Sequence, residues 1–235
     1  LADVGLCSHG AALPTAVRPM LPIPGVPTDD LPAARAAMDA WAEGFESMRV
    51  AFDQPLTVGE SFDLARLGQL SLHEGERIRT FTDASLPSIP GELAHRIDVA
   101  RRRVLLDDGD ASLDGALVNG RPLPHPWPGL SLSNRFRAGD VVLGLTGILD
   151  RSTSDRGSDE PLRVRPVAEL PAPIFVAANP SPTAPPDVGG RLVIASFNVS
   201  NYFATIDTTA SNSSGVCARS HARRPPQPNA VERRS

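Results

Sequence analysis

The chain has 235 residues, is 41% hydrophobic but only 5% aromatic, and carries a formal net charge of -4. That length holds one large domain or two small ones, with a core built mainly from aliphatic side chains. The negative balance excludes a globally basic nucleic-acid binder, and no apolar stretch is long enough to span a membrane.

Residues 1 to 28 are rich in Pro, Ala and Leu, show no clean period, and read as an extended connector. Asp30 is placed to cap a short helix with Pro32 in its first turn. Leu31, Ala34, Met38 and Trp41 give that helix one apolar face, and Gly44 ends it. From Ser47 the period becomes two: Met48, Val50 and Phe52 share a face until Pro55 breaks the run. Leu56 and Val58 start a second strand. Leu70 and Leu72 mark a third, closed by a turn at His73-Glu74-Gly75-Glu76. A second helix is predicted from about Gly91 to Arg103, with Leu93, Ile97, Ala100 and Val104 at helical spacing. A strand Val104–Leu106 then enters the turn Asp107-Asp108-Gly109.

Residues 110 to 137 read as a long loop. The longest strand candidate follows, VVLGLTGILD, with Val141, Leu143, Leu145 and Leu149 on one face. Gly144 and Gly147 inside it predict a bend or bulge of the kind that curls a sheet. Leu162, Val164 and Pro166 alternate with Arg163 and Arg165 in a last strand of this region. Short strands with Gly-containing bends and no βαβ alternation predict a mainly β fold with minor α. Its form is a small, partly open β-barrel of the oligonucleotide-binding type, and a generic β-sandwich is the alternative. The expected organisation is a connector with its short helix (1–43), a β-rich domain (44–170), a Pro-rich linker (171–190), a strand (191–207) and a tail (208–235) too polar to bury a core.

Candidate chemistry is sparse. Asn198, with Asn201 beside it, sits at the carboxyl end of the apolar run Leu192 to Ala195. A sheet edge of that kind binds ligands, and an amide there can meet a phosphate oxygen or a hydrated divalent cation. An ordinary strand-end amide is the plainer reading, since the nearest carboxylate is Asp207. Asp107, Asp108, Asp110 and Asp114 miss the EF-hand pattern, with Asn119 at the closing position, and read as a solvated acidic turn. His73, Glu74 and Glu76 lack the second His of a zinc-protease helix and read as an exposed turn. Arg101, Arg102 and Arg103, with Arg96, form a candidate basic patch for phosphates, to which Arg163 and Arg165 could add. The competing reading is a solvated face balanced by Asp107 and Asp108, because few aromatic residues are placed to stack bases. Cys7 and Cys217 form no metal-type spacing.

Several segments, in order, resemble one family. RLVIASFNVSNYFATID (191–207) is similar to the opening strand of the DNase I-like endonuclease/exonuclease/phosphatase domain. AFDQPLTVGESFDLARLGQLSL, RRRVLLDDG, GDVVLGLTGILD followed by LRVRP, and ANPSPTAPPDVGG resemble the region preceding that domain in bacterial extracellular endonucleases of the ExeM/NucH type. VGLCSHGAALPTAVRPMLPIP is similar to the exit from an upstream module. The resemblance implies a secreted hydrolase that cuts phosphodiester bonds in DNA, with RNA as an alternative substrate, using Mg²⁺, Mn²⁺ or Ca²⁺. It assigns Asn198 to the metal and phosphate site. It supplies no matching positions here for the family's glutamate, histidine and later aspartates, so the chain is expected to be inactive alone and to hold no metal tightly. Past Ser214 the sequence departs from the family, which raises the expectation of a truncation or frame-shift near Cys217. No membrane or protein partner is implied. The reading from another class is a noncatalytic module that binds nucleic acid or a surface polymer, or acts as a spacer.

Overall fold

The computed structural model describes residues 15–110, 122–151, 162–185, 187–190, 192 and 194. The chain divides into two units, Leu1–Pro182 and Thr183–Ser235. The first is mainly β: eight strands form one curled, open sheet, with four helices among the described residues.

Helix α1 (Leu31–Glu43) forms as its sequence predicts. The Asp30 carboxylate accepts from the Ala33 amide at 3.0 Å, which satisfies one of the free N–H groups of the first turn. Ala34 and Ala42 are buried, and Leu31, Met38 and Trp41 pack against the core from the same face. Two short helices follow, α2 (Leu64–Leu67) and α3 (Phe81–Ala84). Helix α4 (Ile89–Arg102) is capped by the Ser88 hydroxyl and buries Ile97. It ends one residue short of the prediction, and Val104 belongs to the next strand instead of the helix face.

The strands are β1 (Arg49–Ala51), β2 (Leu56–Val58), β3 (Leu70–Glu74), β4 (Arg103–Leu106), β5 (Val141–Leu143), β6 (Thr146–Arg151), β7 (Leu162–Arg165) and β8 (Ile174–Val176). Their hydrogen-bonded order is β1-β6-β7-β4-β3-β2-β5-β8. Every pair is antiparallel except β4–β7. The core is aliphatic, led by Leu56, Leu70, Leu72, Leu106, Leu145 and Leu149, with Phe52 the largest fully buried side chain.

Five further expectations, for the amino-terminal stretch and the strands, are corrected by the structure. First, the supposed connector contributes core: Leu21, Ile23 and Val26 are buried, the Ile23 amide donates to the Arg101 carbonyl, and Val17 bridges Val50 in parallel. Second, His73 and Glu74 are the end of β3, not an exposed turn, and His73 is 1% exposed. Third, VVLGLTGILD is two strands. Gly144 between them has φ +69°, a conformation that costs a side-chain-bearing residue about 1–2 kcal/mol. That break changes the facing, so Val142, Leu145 and Leu149 are buried while Leu143 is exposed. Fourth, Ile174–Val176, inside the stretch read as linker, pairs with β5 as an edge strand. Fifth, Val164 faces the core as expected, but β7 stops at Arg165, before Pro166.

Of the second unit, Gly189 donates its amide to the Asp187 carboxylate, and Leu192 and Ile194 are exposed.

Candidate nucleic-acid interface

The two arginine groups occupy different elements. Arg101 and Arg102 end α4 and Arg103 begins β4, whereas Arg163 and Arg165 alternate along β7. Arg101 meets the Asp98 carboxylate with two nitrogens, at 3.0 and 2.7 Å. Arg102 donates to the other Asp98 oxygen at 3.1 Å and also reaches the Glu74 carbonyl and carboxylate. Burial raises the Asp98 pKa, but the hydrogen bonds from Arg101 and Arg102 and their charges outweigh it, so Asp98 stays below the usual carboxylate range. The Nε of Arg103 is buried without a hydrogen-bond partner among the described residues.

Arg163 donates to the Asp150 carboxylate at 2.8 Å and to the Arg151 carbonyl at 3.2 Å, and lies 3.5 Å from Asp107. Arg165 lies 3.1 Å from Asp150 and 3.8 Å from Asp107. Asp150 is pushed up by burial, yet the Arg163 hydrogen bond, the Arg151 amide and the two guanidinium charges hold it below its ordinary value. Asp107 is 4% exposed and accepts from the Gln69 amide at 2.8 Å and the Gly109 amide at 2.8 Å. The acidic turn is therefore not a set of solvated carboxylates. Its first member is a buried anchor for β7, which a parallel neighbour brings within reach. The phosphate-binding candidates Arg101, Arg102, Arg163 and Arg165 all hold carboxylate partners. For Arg101 and Arg102 these are Asp98 and Glu74, not Asp107 and Asp108.

Asp108 continues the turn by accepting from the Asp110 amide, while Asp114 and Asn119 lie outside the described residues. So do Asn198, Asn201, Asp207, Cys7 and Cys217. No group of three or more His, Cys, Asp or Glu side chains among the described residues is arranged to hold a metal.

His73 is set by its neighbours: its Nε2 accepts from the Ile78 amide at 3.2 Å and lies 3.2 Å from the Glu76 carbonyl. Burial is the main cause that lowers its pKa from 6.5 to about 4. The Arg102 charge adds to that effect and the Glu76 carbonyl opposes it.

Residues 122–140, ahead of β5, form a hydrogen-bonded surface turn. The Asn134 side-chain amide nitrogen shares its two N–H groups among three carbonyls, Pro126 at 3.0 Å, Trp127 at 3.2 Å and Gly129 at 2.8 Å. The Leu130 amide closes back on Leu123, and Gly129 on Pro126. At the base, the buried Asp140 carboxylate accepts from the amides of Arg137, Ala178 and Asn179. Phe136 turns inward onto Phe175, with ring centroids 5.7 Å apart. His125 is buried, which lowers its pKa to about 4, and its Nε2 has no hydrogen-bond partner among the described residues. Trp127, in contrast, is 66% exposed. The sequence signal was present: a tryptophan between two prolines fits no helix or central strand, so it must sit on a loop.

Comparison of the chain with family models, with curated proteins and with solved structures gives no match.

Proposed function

We propose that the first unit is an oligonucleotide-binding-type barrel that serves as a noncatalytic accessory module of a secreted, divalent-metal-dependent nuclease. The observation that carries this reading is the strand order. β1 and β2 are successive segments pairing with β6 and β5, which are themselves successive segments of one stretch. Counting 49–58 as one strand and 141–151 as another, the five strands in chain order pair 1-2, 2-3, 3-5, 5-4 and 4-1, with the 3-5 pair parallel. Five strands joined in a ring with one parallel pair support a five-stranded, partly open barrel of the oligonucleotide-binding type. The tie to a nuclease rests on the sequence resemblance of ordered segments that cover most of residues 1–207, which also gives 191–207 as the opening strand of a DNase I-like domain and Asn198 as its metal and phosphate contact. In this reading the barrel holds DNA or RNA, and hydrolysis belongs to the metal site of the complete enzyme. Mg²⁺, Mn²⁺ or Ca²⁺ would serve there, and the protein works outside the cell.

The test is binding of a fluorescent oligodeoxythymidylate to the 235-residue chain, followed by anisotropy at rising salt. Binding that weakens steeply with salt supports the reading. No binding at low salt overturns the nucleic-acid role. A spacer is the second reading, and one observation favours it: the ion pairs of Arg101, Arg102, Arg163 and Arg165 with Asp98, Glu74, Asp107 and Asp150 already neutralise those cations.

A further inference from the structure

We infer that Trp127 is a stacking platform for a base of a single-stranded nucleic acid, with Arg135 of the same turn to meet the phosphodiester. The inference rests on the nucleic-acid reading above and adds to it a site outside the arginine groups considered so far.

Three observations carry it. The first is exposure: Trp127 is 66% exposed, whereas Trp41 is packed on Phe45 and the core. A tryptophan left in water gives up a large burial gain and leaves its ring face accessible to a partner. The second is rigidity. The three carbonyl contacts from Asn134 fix the backbone on both sides of the indole, one of them to Trp127 itself. An aromatic ring on a prefixed backbone loses little freedom on binding, which favours flat partners. The third is charge. Residues 122–137 contain Arg135 and Arg137 and no Asp or Glu. Arg135 is exposed and directly follows Asn134, whose side chain holds the Trp127 carbonyl, so the cation and the indole belong to one hydrogen-bonded turn. Arg137 instead donates to Ser181. A ring for a base and a guanidinium for a phosphate are the two elements of sequence-tolerant single-strand binding. A neutral polysaccharide could use the ring but has no need of the cation.

The Trp41→Phe chain makes Trp127 the sole indole and therefore the reporter. Titration with oligodeoxythymidylate is expected to quench its emission, and a neutral β-glucan is expected not to. In anisotropy with the labelled oligonucleotide, Trp127→Ala should weaken binding about tenfold or more, and Trp127→Phe should keep most of it. Arg135→Ala should weaken binding and lower the salt dependence by about one phosphate contact. An unchanged melting temperature certifies that each variant is folded. Wild-type affinity in Trp127→Ala overturns the stacking site while leaving the nucleic-acid reading standing. Failure of the unaltered chain to bind overturns both. Quenching by the glucan but not by the oligonucleotide overturns the assignment of the partner.

Discussion

Arg163 and Asp150 are direct cross-strand partners on β7 and β6, and the Arg163 guanidinium donates to the Asp150 carboxylate at 2.8 Å. Behind them, Asp107, the residue after the parallel neighbour β4, draws in Arg163 and Arg165. Two acids and two arginines thus balance across three strands, and Gln69 fills a further acceptor of Asp107. Removing Asp107 takes one acceptor from the buried Gln69 amide and leaves Arg163 and Arg165 to share Asp150. Asp107→Ala is expected to cost about 3 kcal/mol, the scale for breaking a buried pair from one side. Urea denaturation measures it, and a loss below about 1 kcal/mol would show the cluster to be a surface pair.

Ile23 tests whether the amino-terminal stretch belongs to the domain. It is 1% exposed and its amide bonds to α4. Ile23→Ala is expected to destabilise by about 2–5 kcal/mol. A connector would tolerate the change within about 0.5 kcal/mol.

Gly147 and Gly144 separate two reasons for glycine in one bent stretch. A Cβ on Gly147 would run into the carbonyl of Arg165, which is backbone and cannot swing aside. Around Gly144 there is open space, and only its positive φ resists substitution. Gly147→Ala should cost about 3 kcal/mol and Gly144→Ala about 1 kcal/mol. Thermal unfolding of both variants checks the order, and the reverse order would mean that β6 and β7 lie further apart.

The chain should lose stability in acid in two stages. His73 and His125 titrate near 4 in the fold against 6.5 when unfolded. The unfolded chain therefore binds more protons in that window, and stability present above 6.5 falls as pH drops toward 4, by up to about 3 kcal/mol per histidine. Below about 3.8, Asp98 and Asp150 add a second loss, because their carboxylates are stabilised in the fold. Urea midpoints from pH 7.5 to 3 follow both stages. His73→Gln should remove about half of the upper stage, and an unchanged slope would mean that His73 is hydrated.

Much of this was readable in the sequence where the signal is local. The Asp30 cap, the apolar face of α1 and the alternation in β7 depend on neighbours within a few residues, and each stands as read. The pairing of Arg101 and Arg102 with Asp98 was also readable, since the residues lie three and four apart on one helix. What could not be read depends on distant partners. Leu21 and Ile23 follow no period because extended chain is buried only where other elements meet it. Three residues between prolines become β8 only because β5 offers an edge. Asp107 looked solvated because the strand that buries it lies 56 residues away. Trp127 was legible as a loop residue, but its rigidity came from Asn134 across the turn.

The most direct test of the account is anisotropy of a labelled single-stranded oligonucleotide with the unaltered 235-residue chain, at low and at physiological salt with Mg²⁺ present, and recovery of the oligonucleotide on a gel. The expected result is binding that weakens with salt and leaves the strand uncut. No binding at low salt would contradict the proposed role, and cutting by the chain itself would contradict its noncatalytic character.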